Sequence, residues 1–151
     1  MIRRSFAGLA LGIVFAVGAR AGDRGTPAEA KALLAKAAAH YKAVGRKQAL
    51  ADFNGKKAPF GDRDLYVFCI GPDRTIVANG GYPSFVGMSA DVLKDADGKP
   101  LGKSLWDAGS RAGGGSVEYP LINPVSHKPA PKVSFVEKMG EDVCGVGSFK
   151  E

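Results

Sequence analysis

Few residues of this 151-residue chain stand at spacings that could do chemistry, and each such group lacks a necessary member. Gly102-Lys103-Ser104 has the ending of a P-loop, whose backbone N–H groups cradle phosphate while the lysine reaches it. That loop needs a glycine five residues before Gly102, and Asp97 stands there. Asp95-Ala96-Asp97-Gly98 has the alternating oxygens and turning glycine of a calcium loop. In that frame Leu93 falls on the first ligand position and Ser104 on the closing glutamate, so the segment reads as a polar turn. Ser116, in Gly114-Gly115-Ser116-Val117-Glu118, lacks the final glycine of a nucleophile elbow and sits between a turn and a strand. His40 lies among helix residues and His127 in a Pro-rich loop, so nothing in the sequence makes them an acid–base or metal pair. No enzyme activity, metal or cofactor is expected from these residues.

Cys69 and Cys144 are the only cysteines, too far apart for a C-x-x-C redox or zinc motif. An even count in an exported chain suggests a disulfide; two reduced, buried cysteines behaving as small hydrophobes are the alternative.

Export is the reading of the first 21 residues. Arg3 and Arg4 give a basic start, Phe6 to Val17 an apolar stretch, and Ala19-Arg20-Ala21 a small-x-small cleavage site. The apolar stretch is well short of the roughly 20 residues that cross a bilayer, so a cleaved signal is expected in place of an anchor. Arg3-Arg4-Ser5-Phe6 fits the twin-arginine route, and the general secretory route fits as well. Cleavage leaves residues 22–151 as one domain, periplasmic or secreted and not membrane-spanning. Arg3, Arg4 and Arg20 supply three charges of the formal +6, so the remainder is only mildly basic. Lys31, Lys36, Lys42, Arg46 and Lys47 spread along a helical surface instead of forming a patch, which argues against a nucleic-acid partner.

Thr26-Pro27-Ala28-Glu29 specifies a helix start through a Thr N-cap, Pro at the first helical position and Glu closing a capping box. Ala30, Leu33, Leu34, Ala37, Ala38, Tyr41 and Val44 form one stripe of mostly small residues, ended by Gly45. Gln48 to Phe53 reads as a short second helix. Strands are expected at Leu65–Ile70 and Thr75–Ala78, joined by the turn Gly71-Pro72-Asp73-Arg74. An irregular region to Pro100 and a short helix around Leu101–Ala108 precede strands at 116–122, 132–139 and 143–149. This order predicts an α+β fold: an antiparallel sheet of about five strands with a long N-terminal helix packed against it.

The same order carries particular residues: Leu65-Tyr66-Val67-Phe68, Ile76-Val77-Ala78 followed by Asn79, Gly87, and Asp95-x-x-Gly98-Lys99. Gly113-Gly114-Gly115, Val117-Glu118-Tyr119, Asn123-Pro124, Pro131-Lys132 and Gly145-Val146-Gly147-Ser148-Phe149 follow. Together they resemble the single Cache domain, type 2, an extracytoplasmic sensing module related to the PAS fold. Asn79 stands where such chains often have His, Ser116 where they have Trp, and Phe135 where they have Tyr. The resemblance implies a PAS-like sheet and a pocket for a small metabolite, often a short organic acid. It also implies a role in signalling with a membrane receptor or other signalling protein as partner. The chain ends at Glu151 soon after its last strand, so no output domain of its own is expected.

The resemblance also makes the first and last strands neighbours. Alternation then puts Tyr66 and Phe68 on one face and Val67 and Cys69 on the other, with Gly145 and Gly147 opposite in sense to Cys144, Val146 and Ser148. The glycines either leave open volume beside Tyr66 and Phe68 or let the alanine-striped helix sit close. Cys69 and Cys144 come within bonding reach if they share a face. Candidate ligand residues are Lys132 as counter-charge to an acid, Tyr66 and Tyr119 as hydroxyl donors, and Phe68, Trp106 and Phe135 as apolar walls. A structural or protein-interaction module with a filled pocket is the competing reading, motivated by Ser116 and Phe135.

Overall fold

The computed structural model describes residue 22 and residues 24–150. The signal reading for residues 1–21 falls outside them. Helix α1 (Pro27–Val44) starts as its sequence specifies: Thr26 Oγ1 accepts from Glu29 N at 3.2 Å, and Glu29 Oε2 accepts from Thr26 N at 2.7 Å. Gly45, at φ +82°, turns the chain directly into α2 (Arg46–Asn54). That positive φ suits glycine, which has no Cβ to clash there.

Six strands form one sheet: β1 (Gly61–Asp62), β2 (Leu65–Ile70), β3 (Ile76–Asn79), β4 (Gly115–Ile122), β5 (Pro129–Met139) and β6 (Asp142–Phe149). The order is β1-β2-β6-β5-β4, with β3 also paired to β2 and every recorded pairing antiparallel. The strand beyond the expected five is the two-residue β1. Every residue of β2 and of β6 is buried, so both faces of the sheet centre are covered.

One face carries α1 and α2. Ala30 and Ala37 have no exposed surface and pack with Leu33, Leu34, Val67, Cys69, Cys144 and Val146. Small side chains let the helix approach the strands closely. The stripe ends at Tyr41, whose hydroxyl donates to Asp142 Oδ2 at 2.8 Å. Val44, read as part of that stripe, is 42% exposed because it lies past the sheet. Arg46 donates to both oxygens of buried Asp142 at 2.9 and 3.0 Å, a bidentate pair that pins the α1–α2 corner to the β5–β6 turn.

The other face is covered by the irregular segment from Gly80 to Leu101 and by α3 (Gly102–Gly109). Two short 3-10 turns, Pro83–Phe85 and Ala90–Val92, are its regular parts. A Cβ on Gly102 would sit 1.8 Å from the Ala90 carbonyl oxygen, so only glycine lets α3 enter there.

Cys69 and Cys144 face each other in the β2–β6 register and form a disulfide on the helix face. The bridge closes a 75-residue separation, and chain-entropy arguments assign such a link about 4 kcal/mol. The Cys69→Ala/Cys144→Ala double variant is therefore expected to lose roughly that much stability in urea unfolding. A loss under about 1 kcal/mol would show that the bridge does not carry this load.

Candidate functional site

The face away from α1 and α2 contains a polar centre built from three strands. Tyr66 comes from β2, Lys132 and Ser134 from β5, and Tyr119 from β4, with Tyr119 opposite Lys132 in register. Lys132 is 1% exposed. Its chain lies across Gly147 of β6, where an added Cβ would stand 2.1 Å from Cε and 3.0 Å from Nζ. Glycine at 147 is thus what lets a lysine lie flat over the central strand and reach β2.

There its Nζ donates to the Tyr66 hydroxyl at 2.7 Å. The Tyr66 and Phe149 rings lie 4.2 and 4.8 Å from Nζ, within cation–π range. Burial pulls the ammonium down to about 7 from its ordinary 10.5, while the negative charge of Asp64 acts in the opposite sense. Asp64 is itself buried, accepting from Gly25 N at 2.7 Å and Asn123 Nδ2 at 3.1 Å. Burial holds the Tyr66 hydroxyl well above its ordinary pKa, with the neighbouring Tyr119, Tyr82 and Asp64 adding to the effect. Tyr66 is therefore a neutral phenol that accepts from Lys132 and keeps its own proton to donate.

Tyr66 borders a small pocket under the covering segment. Phe68, Asn79, Tyr119 and Leu105 line it with Tyr66, and Tyr82, Phe85, Leu93 and Lys94 close it from above. The unfilled interior is about 40 Å³, room for about two or three waters, and it opens to solvent. The Tyr119 hydroxyl and Ser134 Oγ share a hydrogen bond of 2.6 Å. Such a pocket offers an apolar wall, phenol and amide polar groups, and a buried cation one hydrogen bond behind Tyr66.

Of the residues expected at a ligand site, Tyr66, Phe68 and Tyr119 line this pocket, and Lys132 lies beneath Tyr66. Phe135 does not join them. It pairs with Val146 in register and packs on the helix side, with Lys31 Nζ 4.8 Å above its ring. Trp106 is also elsewhere: Leu105 points into the pocket, and the next residue, about 100° round the helix, faces Arg74 and Lys138 at 5.4 and 5.6 Å. The glycines neither leave a hollow nor receive the helix. Phe68 fills the space at Gly145, where a Cβ would meet its Cζ at 2.5 Å, and Lys132 fills that at Gly147.

Sequence reasoning missed the upper wall. Asn79 Oδ1 accepts from Gly81 N at 3.1 Å and Tyr82 N at 2.8 Å, turning the chain off β3 and over the pocket. Tyr82 and Phe85 then stack at 5.0 Å, and Tyr82 meets Tyr66 edge-on at 5.9 Å. The available signal was two aromatics within a segment that has no helical or strand period.

The profile of the family described as Single Cache domain 2 matches residues 21–148. The chain belongs to this family. Solved structures share the fold of this Cache domain. A methyl-accepting chemotaxis protein from Vibrio parahaemolyticus RIMD 2210633 superposes with a TM-score of 0.68 at 21% identity, covering 81% of this chain and 86% of that one. A structure described as the periplasmic sensor domain of a chemotaxis protein gives 0.59 at 21% identity over 80% of this chain and 88% of that one. A third, described as a basis for carboxylic acid recognition by a Cache chemosensory domain, gives 0.55 at 17% identity over 80% and 86%. No curated protein sequence matches the chain. Among the described residues no helix is long and apolar enough to cross a membrane.

Lys132 makes stability depend on pH. Between about pH 7 and 10.5 the unfolded chain retains a lysine proton that the folded chain has released, so stability rises with pH across that window. The limiting slope is about 1.4 kcal/mol per pH unit. Gly147→Ala, by forcing Lys132 off β6 toward solvent, is expected to abolish this slope, as is Lys132→Met. Urea unfolding at several pH values checks this; an unchanged slope in either variant contradicts the assignment.

Proposed function

We propose that this Cache domain, exported after removal of residues 1–21, binds a short organic acid in the pocket beside Tyr66 and Tyr119. It then presents its occupancy to a membrane receptor or signalling protein. The observation that carries the reading is the Lys132–Tyr66 pair: a buried ammonium that among the described residues donates only to a neutral phenol on the pocket wall. An isolated buried cation is costly, and a carboxylate accepting from the Tyr66 hydroxyl supplies the missing negative charge through one hydrogen bond. Two of the similar folds support the class of ligand and the location, being described as recognising carboxylic acids and as periplasmic.

A bound carboxylate favours the charged form of Lys132, so binding takes up a proton above about pH 7. Affinity then falls as pH rises, approaching tenfold per unit. The small interior favours one alternative, a domain whose pocket has closed and which acts through a protein partner.

A thermal-shift screen of formate through hexanoate, with amino acids and amines as controls, separates the two readings. At about a hundred times Kd a native-state ligand adds about 2.7 kcal/mol of stability, a rise of several degrees in Tm. The expected result is stabilisation by a short carboxylate that weakens from pH 7 to 9 and is absent in Lys132→Met. Failure of every acid to stabilise the protein would count against ligand sensing and for the closed-pocket module.

A further inference from the structure

Tyr82 borders the pocket and is tied at its two ends to different strands. Its backbone N–H is held by Asn79 Oδ1 at the end of β3, on one side of the opening. Its ring borders the interior, edge-on to Tyr66 and stacked on Phe85. Its hydroxyl donates to the carbonyl oxygen of Ile122, at the far end of β4, on the other side. The two ends belong to segments 40 residues apart that meet here through this phenol. The ring is only half-buried, and Pro83 and Ser84 beyond it are exposed, so no packed layer supports it from outside.

The floor sets polarity and the crossbar sets length. Tyr66 and Phe68 are fixed in β2, buried on both faces, and the buried Tyr119 is tied to Ser134, so the floor cannot deepen to admit a longer molecule. Lengthening toward solvent is blocked by Tyr82 and the Phe85 ring stacked on it. On the reading that this site holds a carboxylate, we infer that Tyr82 is the specificity-determining residue that limits how long an acid the pocket accepts. Its hydroxyl bond to Ile122 acts as the latch that slows ligand exchange.

Removing the phenol adds the volume of its ring to the small interior that it borders. Each methylene then buried contributes favourably, raising affinity about fourfold per added carbon. The test titrates straight-chain carboxylates from formate to hexanoate against wild type, Tyr82→Ala and Tyr82→Phe, following binding by calorimetry and exchange rates by ligand-observed NMR. Circular dichroism confirms folding, and Phe85→Ala replaces Tyr82→Ala if that variant fails to fold. The expected results are a sharp chain-length limit in wild type, a limit moved to longer acids in Tyr82→Ala, and an unmoved limit with faster release in Tyr82→Phe.

An identical limit in wild type and the truncated variant overturns the role of Tyr82 and leaves the carboxylate site standing. An unchanged release rate in Tyr82→Phe removes the latch. Failure of all variants to bind any acid removes the carboxylate reading, and this inference with it.

Discussion

Fourteen residues of two neighbouring strands, β2 and β6, have no face turned to water. That constraint orders the rest of the molecule, because a sheet buried on both sides at its centre needs two covering layers. Helices made from small residues supply one: alanines at 30, 37 and 49 let α1 and α2 lie close to Val67 and Val146. The other is an irregular segment and a two-turn helix, which fit less tightly than a regular helix would. The pocket beside Tyr66 lies under this second layer.

Polar groups in so dry a centre need partners, and the two faces meet that need differently. On the helix side, Asp142 receives Tyr41 and both arms of Arg46, a saturated arrangement with no vacancy for a ligand. Across the sheet, Lys132 has a neutral phenol and two aromatic faces, and Asp64 lies near without closing an ion pair. The first arrangement fastens a corner. The second leaves a cation undercompensated beside a pocket, which is the reason to look for an anion there.

Much of the scaffold was legible in the sequence because its signals are local. The Thr26–Glu29 capping box, the alanine stripe, the Gly71–Arg74 turn and the breakers that bound the last three strands each act within a few residues, and each sits where its chemistry directs. The β2–β6 neighbourhood, and with it the cysteine pairing, came from resemblance to a family, since pairing between distant strands has no local signature. The faces of candidate-site residues were legible only where strand alternation was applied. Tyr66 and Phe68 share the pocket face as alternation requires, and Tyr119 joins them there, whereas the parity of Phe135 turns it to the helix side. Trp106 is expected as an apolar wall, yet helix phase gives the inward position to Leu105. Tyr82 and Phe85 had no place in the expected site because their segment has no period, and its path is set by hydrogen bonds to Asn79 that sequence spacing does not express.

The cystine joins the two innermost strands directly behind the wall that bears Phe68 and Gly145. A covalent rung at that point forbids the middle of the sheet from sliding out of step, whatever occupies the cavity. Room to shift is thereby left to the periphery: the roof around residue 82, the β4 margin it touches, and the helices leaning on the opposite side. The rung turns the sheet into a fixed frame against which only its coverings can move.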